Sequence, residues 1–184
     1  MRILLVCLLI ALPITGHGRS VANVNIEETT QAGQQSLALN GSGIRSKYFM
    51  DVYVASLYLP AHSRNANTIV AADAAQSIHL HIISSHITKD ILIESIEDGI
   101  KQSAGASFPR YQSRLQELRD ALTFEVKKGD RFEFTYLPGK GTHFYRNGKL
   151  LRVLPTLEFK QVLFGIWLGK NPVQSSLKTA LLNG

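Results

Sequence analysis

The chain has one cysteine and one tryptophan in 184 residues, Cys7 and Trp167, and only 18% of its residues are charged. A single thiol closes no internal disulfide. Sparse charge beside 45% hydrophobic residues excludes a disordered chain, a collagen-like repeat and a long coiled coil, each of which needs a different balance. Long apolar runs are also missing beyond the first dozen residues, so no later segment reads as a membrane-spanning helix. There is no Gly-x-Ser-x-Gly elbow, no phosphate-binding P-loop and no dinucleotide fingerprint, and Gly139-Lys140-Gly141 lacks the context for holding phosphate. The length suits one domain.

What is present begins with an address. Met1 and Arg2 precede the apolar run Ile3–Leu12, and polar residues follow from Thr15 to Ser20. That layout is a secretory signal peptide, too short to span a bilayer comfortably. Ser20-Val21-Ala22 offers small residues at the two positions a signal peptidase reads, which places cleavage after Ala22, with Gly18 the second choice. Residues 1–22 are thus read as the signal and residues 23–184 as the mature domain, exported, in a bacterium to the periplasm. Removing Arg2 and Arg19 takes the 20 basic residues to 18 against 14 acidic ones, so the surplus falls from +6 to +4. Cys7 leaves with the signal. A cysteine-free mature chain suits an oxidising compartment and excludes thiol nucleophiles and zinc-cysteine sites. Scattered basic residues, with Lys127-Lys128 the only adjacent pair in the mature chain, argue against a nucleic-acid partner.

The mature sequence alternates strands and helices in blocks. Leu37-Ala38-Leu39, a turn at Gly41-Ser42-Gly43, Ile44–Lys47 and Val52–Leu59 read as β structure, with Tyr53, Ala55, Leu57 and Leu59 on one face of the last strand. Pro60 ends it, a polar loop surrounds Ser63–Thr68, and Ser77–Ile83 alternates as a further strand. Thr88 caps a helix whose Leu92, Ile96 and Ile100 share a face until Gly105. A second helix starts near Ser107, tolerates Pro109 in its first turn and repeats Tyr111, Leu115, Leu118 and Leu122. The period then returns to two over Arg131–Tyr136, Thr142–Arg146 and Lys149–Leu154, with a hairpin signal at Asn147-Gly148. Leu157–Leu168 is helical, Gly169 stops it, and Pro172 opens a last helix through Leu182. The order predicts an α+β domain.

Three stretches, Leu39–Arg45 with Val52–Leu59, the helical pair from Thr88 to Leu122, and Phe164–Val173, together resemble the chalcone isomerase fold family, in particular its exported bacterial members. The resemblance implies an open-faced β-sandwich, a large antiparallel sheet backed by a layer of helices, with a ligand cleft between them. The family's plant enzyme closes a chalcone into a flavanone with an arginine, a threonine, a tyrosine and an asparagine. At the corresponding positions this chain has Arg45, Tyr53, Ile87 and Glu94, and Lys160 falls near a further hydroxyl residue of the late helix. Only the arginine is kept, and Ile87 can neither donate a hydrogen bond nor hold an ordered water. No catalytic residue is therefore assigned. A second branch of the family, plant fatty-acid-binding proteins, uses the arginine and a tyrosine on the next strand to hold a carboxylate, and Arg45 and Tyr53 match that pair.

The pair makes geometric sense. If the hairpin turns near Phe49, antiparallel pairing sets Arg45 and Tyr53 opposite each other on one face. A guanidinium gives a carboxylate two charge-assisted hydrogen bonds and a phenol adds a third donor. The expected ligand is a small apolar carboxylate such as a fatty acid, bound without a cofactor or metal, with membrane contact expected only through the signal segment before cleavage. The plainer alternatives are an Arg45 satisfied by carbonyls or a carboxylate and a Tyr53 that merely packs. His79 and His81, with His86 close behind, read as a solvated polar face rather than a metal site. Glu94 and Asp98 read as an acidic helix face, and Trp167, Phe159, Phe164 and Ile166 as core. An isomerase or lyase acting on a phenolic or enone substrate, and a partner-binding protein with a filled cleft, are the competing functions.

Overall fold

Apolar alternation along a strand divides its side chains between two interiors. The computed structural model, which describes residues 19–183, shows that division across one large sheet. In chain order the elements are β1 (Arg19–Val21), β2 (Val24–Ile26), β3 (Thr29–Ala32), β4 (Gln35–Lys47), β5 (Met50–Leu59), α1 (Ala66–Ala71), β6 (Gln76–Ile82), α2 (Lys89–Ala104), a 3₁₀ segment (Gly105–Tyr111), α3 (Gln112–Ala121), β7 (Arg131–Leu137), β8 (Gly141–Arg146), β9 (Lys149–Leu154), α4 (Leu157–Leu168) and α5 (Ser175–Leu182). Strands β3 to β9 form a seven-stranded sheet in sequence order, every neighbouring pair antiparallel, and β1 with β2 form a separate hairpin. The α+β class and the helix-backed antiparallel sheet are as expected.

On one face, Tyr53, Ala55, Leu57 and Leu59 of β5 join Ile78, Leu80 and Ile82 of β6, Phe132 and Phe134 of β7, and the apolar sides of α2, α3, α4 and α5. Phe134 and Phe144 stack at 4.8 Å between centroids, and Phe134 meets Trp167 at 6.1 Å. Each of the leucine, isoleucine and phenylalanine side chains, buried fully, stabilises the fold by about 1.5–3 kcal/mol, so this face carries the helix layer. Phe159, Phe164, Ile166 and Trp167 are core, as expected. Thr88 caps α2 by accepting from the Ile91 amide, and Gly105 ends it with φ of 54°. The next helix does not begin at Ser107. Seven residues around Pro109 wind as 3₁₀ before α3 starts at Gln112, consistent with a proline that cannot donate a backbone hydrogen bond.

Two sequence expectations fail here for identifiable reasons. Gly41-Ser42-Gly43 is not a turn but the middle of the 13-residue strand β4, with a register shift between Leu39 and Gly41. Its glycines admit another chain: a Cβ on Gly41 would press into the Ala180 carbonyl oxygen and lie 2.6 Å from that of Leu181, and one on Gly43 would lie 2.7 Å from Ala180 Cβ. Helix α5 thus lies directly on the backbone of β4. Asn40 fastens it, Nδ2 donating to Leu181 O at 2.8 Å and to Ser63 O at 3.0 Å while Oδ1 accepts from Ser63 N. The polar stretch read as a loop contains α1, capped by Asn65 and ended by α4. There Lys160, fully buried, donates through Nζ to the carbonyls of Ile69, Val70 and Ala72. Burial lowers its pKa to about 8, against the pull of Asp73.

The opposite face packs Ile26, Leu37, Leu39, Val54 and Tyr58 beneath the N-terminal segment. Residues 1–18 of the expected signal lie outside the described residues. The expected boundary after Ala22 falls in the β1–β2 turn, where Ala22 and Asn23 both have positive φ.

His79 corrects another expectation. It is 1% exposed, not solvated: the Tyr58 ring lies over it at 4.5 Å, and the Tyr58 hydroxyl donates to the Glu27 carbonyl. Among the described residues neither ring nitrogen has a hydrogen-bond partner. Glu133 Oε2 lies 3.6 Å from Nε2, but that carboxylate is already engaged by Arg131. Burial, with Arg131 and His81 adding like charge, lowers the His79 pKa to about 3. Because the folded value is below the ordinary 6.5, this group's contribution is intact above pH 6.5 and is lost as pH falls from there toward 3. At pH 5 the loss is about 2 kcal/mol. His81, whose pKa burial also lowers, to about 4, loses stability in the same window, so urea unfolding at pH 7.5 and 5 should show a drop in the wild type that exceeds the drop in His79→Leu by about 2 kcal/mol. Equal drops would mean that His79 is not the titrating group.

Candidate ligand cleft

Strands β4 and β5 run antiparallel through a turn whose central residues, Tyr48 and Phe49, both have positive φ. That register sets Arg45 directly opposite Tyr53, as the sequence predicts, at a second shift between Arg45 and Ser46. Both residues line a cleft of about 220 Å³ between the sheet and helices α2 and α4. Its walls are mainly apolar, with Val52, Leu80, Ile87, Leu92, Ile96 and Ile166 among them, and Ser95, Gln102 and Asp98 supply polar edges on α2. The volume lies below the roughly 300–1,000 Å³ of typical small-molecule sites, which favours a slim ligand. Gly99 lets α4 close on α2 at this wall, since a Cβ there would meet Ile166 Cγ2 at 2.8 Å.

Arg45 is half-buried. Its Nη1 donates to the Ser46 carbonyl and, at 3.2 Å, to Gln174 Oε1. Among the described residues no carboxylate forms an ion pair with it; the bonds to Ser46 and Gln174 use Nη1, and the guanidinium also lies against the Tyr53 hydroxyl. Nε and Nη2 keep donors for an incoming anion. Gln174 was not foreseen as a site residue. It precedes α5, which starts at Ser175 rather than at Pro172, and its amide mimics a strand partner: Oε1 accepts from the Ser46 amide at 3.0 Å and Nε2 donates to the Ile44 carbonyl at 3.4 Å. The irregularity in β4 is thereby filled by a side chain that also orients Arg45.

Tyr53 is buried, and its hydroxyl oxygen accepts from Trp167 Nε1 at 2.9 Å. The phenol's own hydrogen stays available as a donor. Burial raises the Tyr53 pKa, outweighing Trp167 and Arg45, so the group is a neutral phenol rather than a phenolate. Trp167, expected as core, is both core and cleft wall, and its indole fixes where the Tyr53 hydroxyl sits.

Of the other positions matched to the plant enzyme, Ile87 lines the cleft with an apolar side chain, Glu94 is exposed and is not among the lining residues, and Lys160 is occupied at the end of α1. Asp98 lies on the cleft rim, while Glu97 pairs with Lys101 and Arg119. Among the described residues no group of three or more His, Cys, Asp or Glu side chains could hold a metal ion, and no helix is long and apolar enough to cross a membrane.

No curated protein matches the sequence. Among solved structures, the chain is similar to the crystal structure of an Arabidopsis thaliana fatty-acid binding protein, with a TM-score of 0.64 and 15% identity over 79% of this chain and 86% of that one. At that identity the likeness shows the fold. The family model for chalcone isomerase-like proteins matches residues 18–183. A sheet meander backed by helices, with a cleft between them and a match along nearly the whole length, places the chain in the chalcone isomerase-like family.

Proposed function

We propose that this protein is an exported, non-catalytic binder of a small apolar carboxylate such as a fatty acid, with Arg45 as the cationic clamp and Tyr53 as its partner. The carrying observation is an arginine with no carboxylate partner among the described residues, set opposite a neutral phenol at one side of an apolar cleft. A half-buried guanidinium with free donors beside an apolar cleft offers an anion charge-assisted hydrogen bonds. Two parallel donors from Arg45 and one from Tyr53 suit a carboxylate, and Val52, Ile87, Leu92 and Ile166 suit its chain. The structural likeness to a protein named for fatty-acid binding supports the same ligand class. The apolar Ile87 offers no proton donor or acceptor to the cleft, which favours binding over isomerase chemistry.

Native mass spectrometry of the protein recovered from the periplasm after expression in a bacterial host reads both halves of the proposal. The polypeptide should begin at Asn23 and carry a co-purifying organic acid. Arg45→Ala should weaken binding of a mid-length fatty acid 10- to 100-fold, the worth of about 1.5–3 kcal/mol in charged hydrogen bonds. Unchanged affinity would refute the clamp. Turnover of a chalcone that disappears in Arg45→Ala would replace binding with catalysis.

A further inference from the structure

The hairpin next to the cleft is built against its own turn chemistry. Two-residue hairpin turns with both central residues at positive φ favour Asn-Gly, and the β8–β9 hairpin uses that pair, with φ of 49° at Asn147 and 79° at Gly148. The β4–β5 hairpin adopts the same signs, 51° and 66°, with Tyr48 and Phe49. Bulky residues in this region are strained, at a cost on the order of 1 kcal/mol each. Packing does not repay them. Tyr48 is 80% exposed, Phe49 is 108% exposed and Met50 is 48% exposed, so three large apolar side chains stand out at the tip of the sheet.

The tip is continuous with the mouth of the cleft. Lys47 and Val52, on either side of Tyr48-Phe49-Met50, both line the cleft, as does Ile91, itself 38% exposed on α2. Lys47 Nζ lies 5.5 Å from the centre of the Tyr48 ring. The acid at the tip, Asp51, accepts from Ser46 Oγ at 2.7 Å, and the other acid at the cleft rim is Asp98.

We propose that Tyr48-Phe49-Met50 is a membrane anchor that seats the cleft mouth on an anionic lipid surface, from which the ligand is taken or to which it is delivered. The idea rests on the carboxylate-binding reading only for the ligand; docking itself stands on the tip. Weighted by those exposures, three side chains of at most about 250 Å² each present roughly 600 Å². That is less than the roughly 800 Å² per partner of a stable protein interface. A bilayer needs no complementary surface. Aromatic rings enter its interfacial layer while a flanking lysine meets lipid phosphate, the composition this tip has. An apolar carboxylate also partitions into that layer, so docking there spares it a passage through water.

The test compares the exported protein with its Tyr48→Asn/Phe49→Gly double variant, which carries the favoured turn pair and should be no less stable in urea. Co-sedimentation with vesicles of phosphatidylglycerol and phosphatidylethanolamine should show wild-type binding and at least a tenfold loss in the variant, while affinity for a soluble fatty acid stays unchanged. Equal vesicle binding by both proteins, or binding by neither, overturns the anchor. Self-association lost in the variant, without vesicle binding, would assign the tip to a second copy of the chain and also overturns it. Arg45→Ala separates the two proposals: it should lose the acid and keep the vesicles, and retention of the acid would sink the clamp without touching the anchor.

Discussion

Gly41→Ala is expected to lower stability by about 3 kcal/mol, at the upper end of overpacking costs. The added methyl meets backbone rather than a side chain able to rotate away, because the carbonyl oxygens of Ala180 and Leu181 both lie too close. Helix α5 would have to lift from β4. Lifting strains the Asn40 bond to Leu181 O and partly exposes Leu177 and Leu181, both buried. The displacement also reaches the ligand cleft, since Gln174, just before α5, holds both Arg45 and the Ser46 amide. Gly41→Ala should therefore weaken carboxylate binding although residue 41 does not line the cleft. Urea unfolding and ligand titration of the same variant check both halves. A midpoint within 1 kcal/mol of the wild type would show that α5 settles at little cost.

Trp167→Ala is expected to cost about 3–5 kcal/mol, the usual range for removing a large buried aromatic from a core. The indole packs on Phe134, is 2% exposed and donates to Tyr53, so its loss leaves a cavity and frees the phenol to turn. Because the same indole forms part of the cleft wall, the cavity should open into the cleft. Branched or aromatic acids should then gain affinity relative to slim ones. Trp167→Phe separates the effects: it keeps much of the volume while removing the N–H donor, and should cost less than Trp167→Ala, with a much smaller change of preference. If Trp167→Ala binds every acid in wild-type proportion, the indole does not shape the ligand space.

How far the sequence was legible depended on whether the controlling contact was local. The Arg45 and Tyr53 pairing could be read because a hairpin's register follows from its turn, and the alternation of β5 shows which side chains share a face. Asn147-Gly148, Thr88 and Gly105 carry their structural instructions in their own chemistry. Gly41-Ser42-Gly43 misled for the opposite reason. Glycine serves equally in a turn and beneath a crossing backbone, and the helix that uses it begins more than 130 residues later at Ser175. His79 looked solvent-facing because the Tyr58 that covers it belongs to another strand. Gln174 gave no signal at all, since a glutamine replacing a strand's hydrogen bonds has no sequence pattern. Helix α1 was hidden in a polar stretch because Lys160 and Gln161 of α4 satisfy its last carbonyls from across the domain.

The hydrogen bond from Trp167 to Tyr53 has an optical consequence. Trp167 is the only indole in the chain, and it lies in the wall of the candidate cleft with its N–H held by a phenol. Excited at the red edge of its absorption, where the six tyrosines do not absorb, the unlabelled protein therefore emits from one known place. A ligand that reorders Tyr53 or displaces water from the cleft should shift that emission in wavelength or intensity. Occupancy could then be followed in real time without a dye.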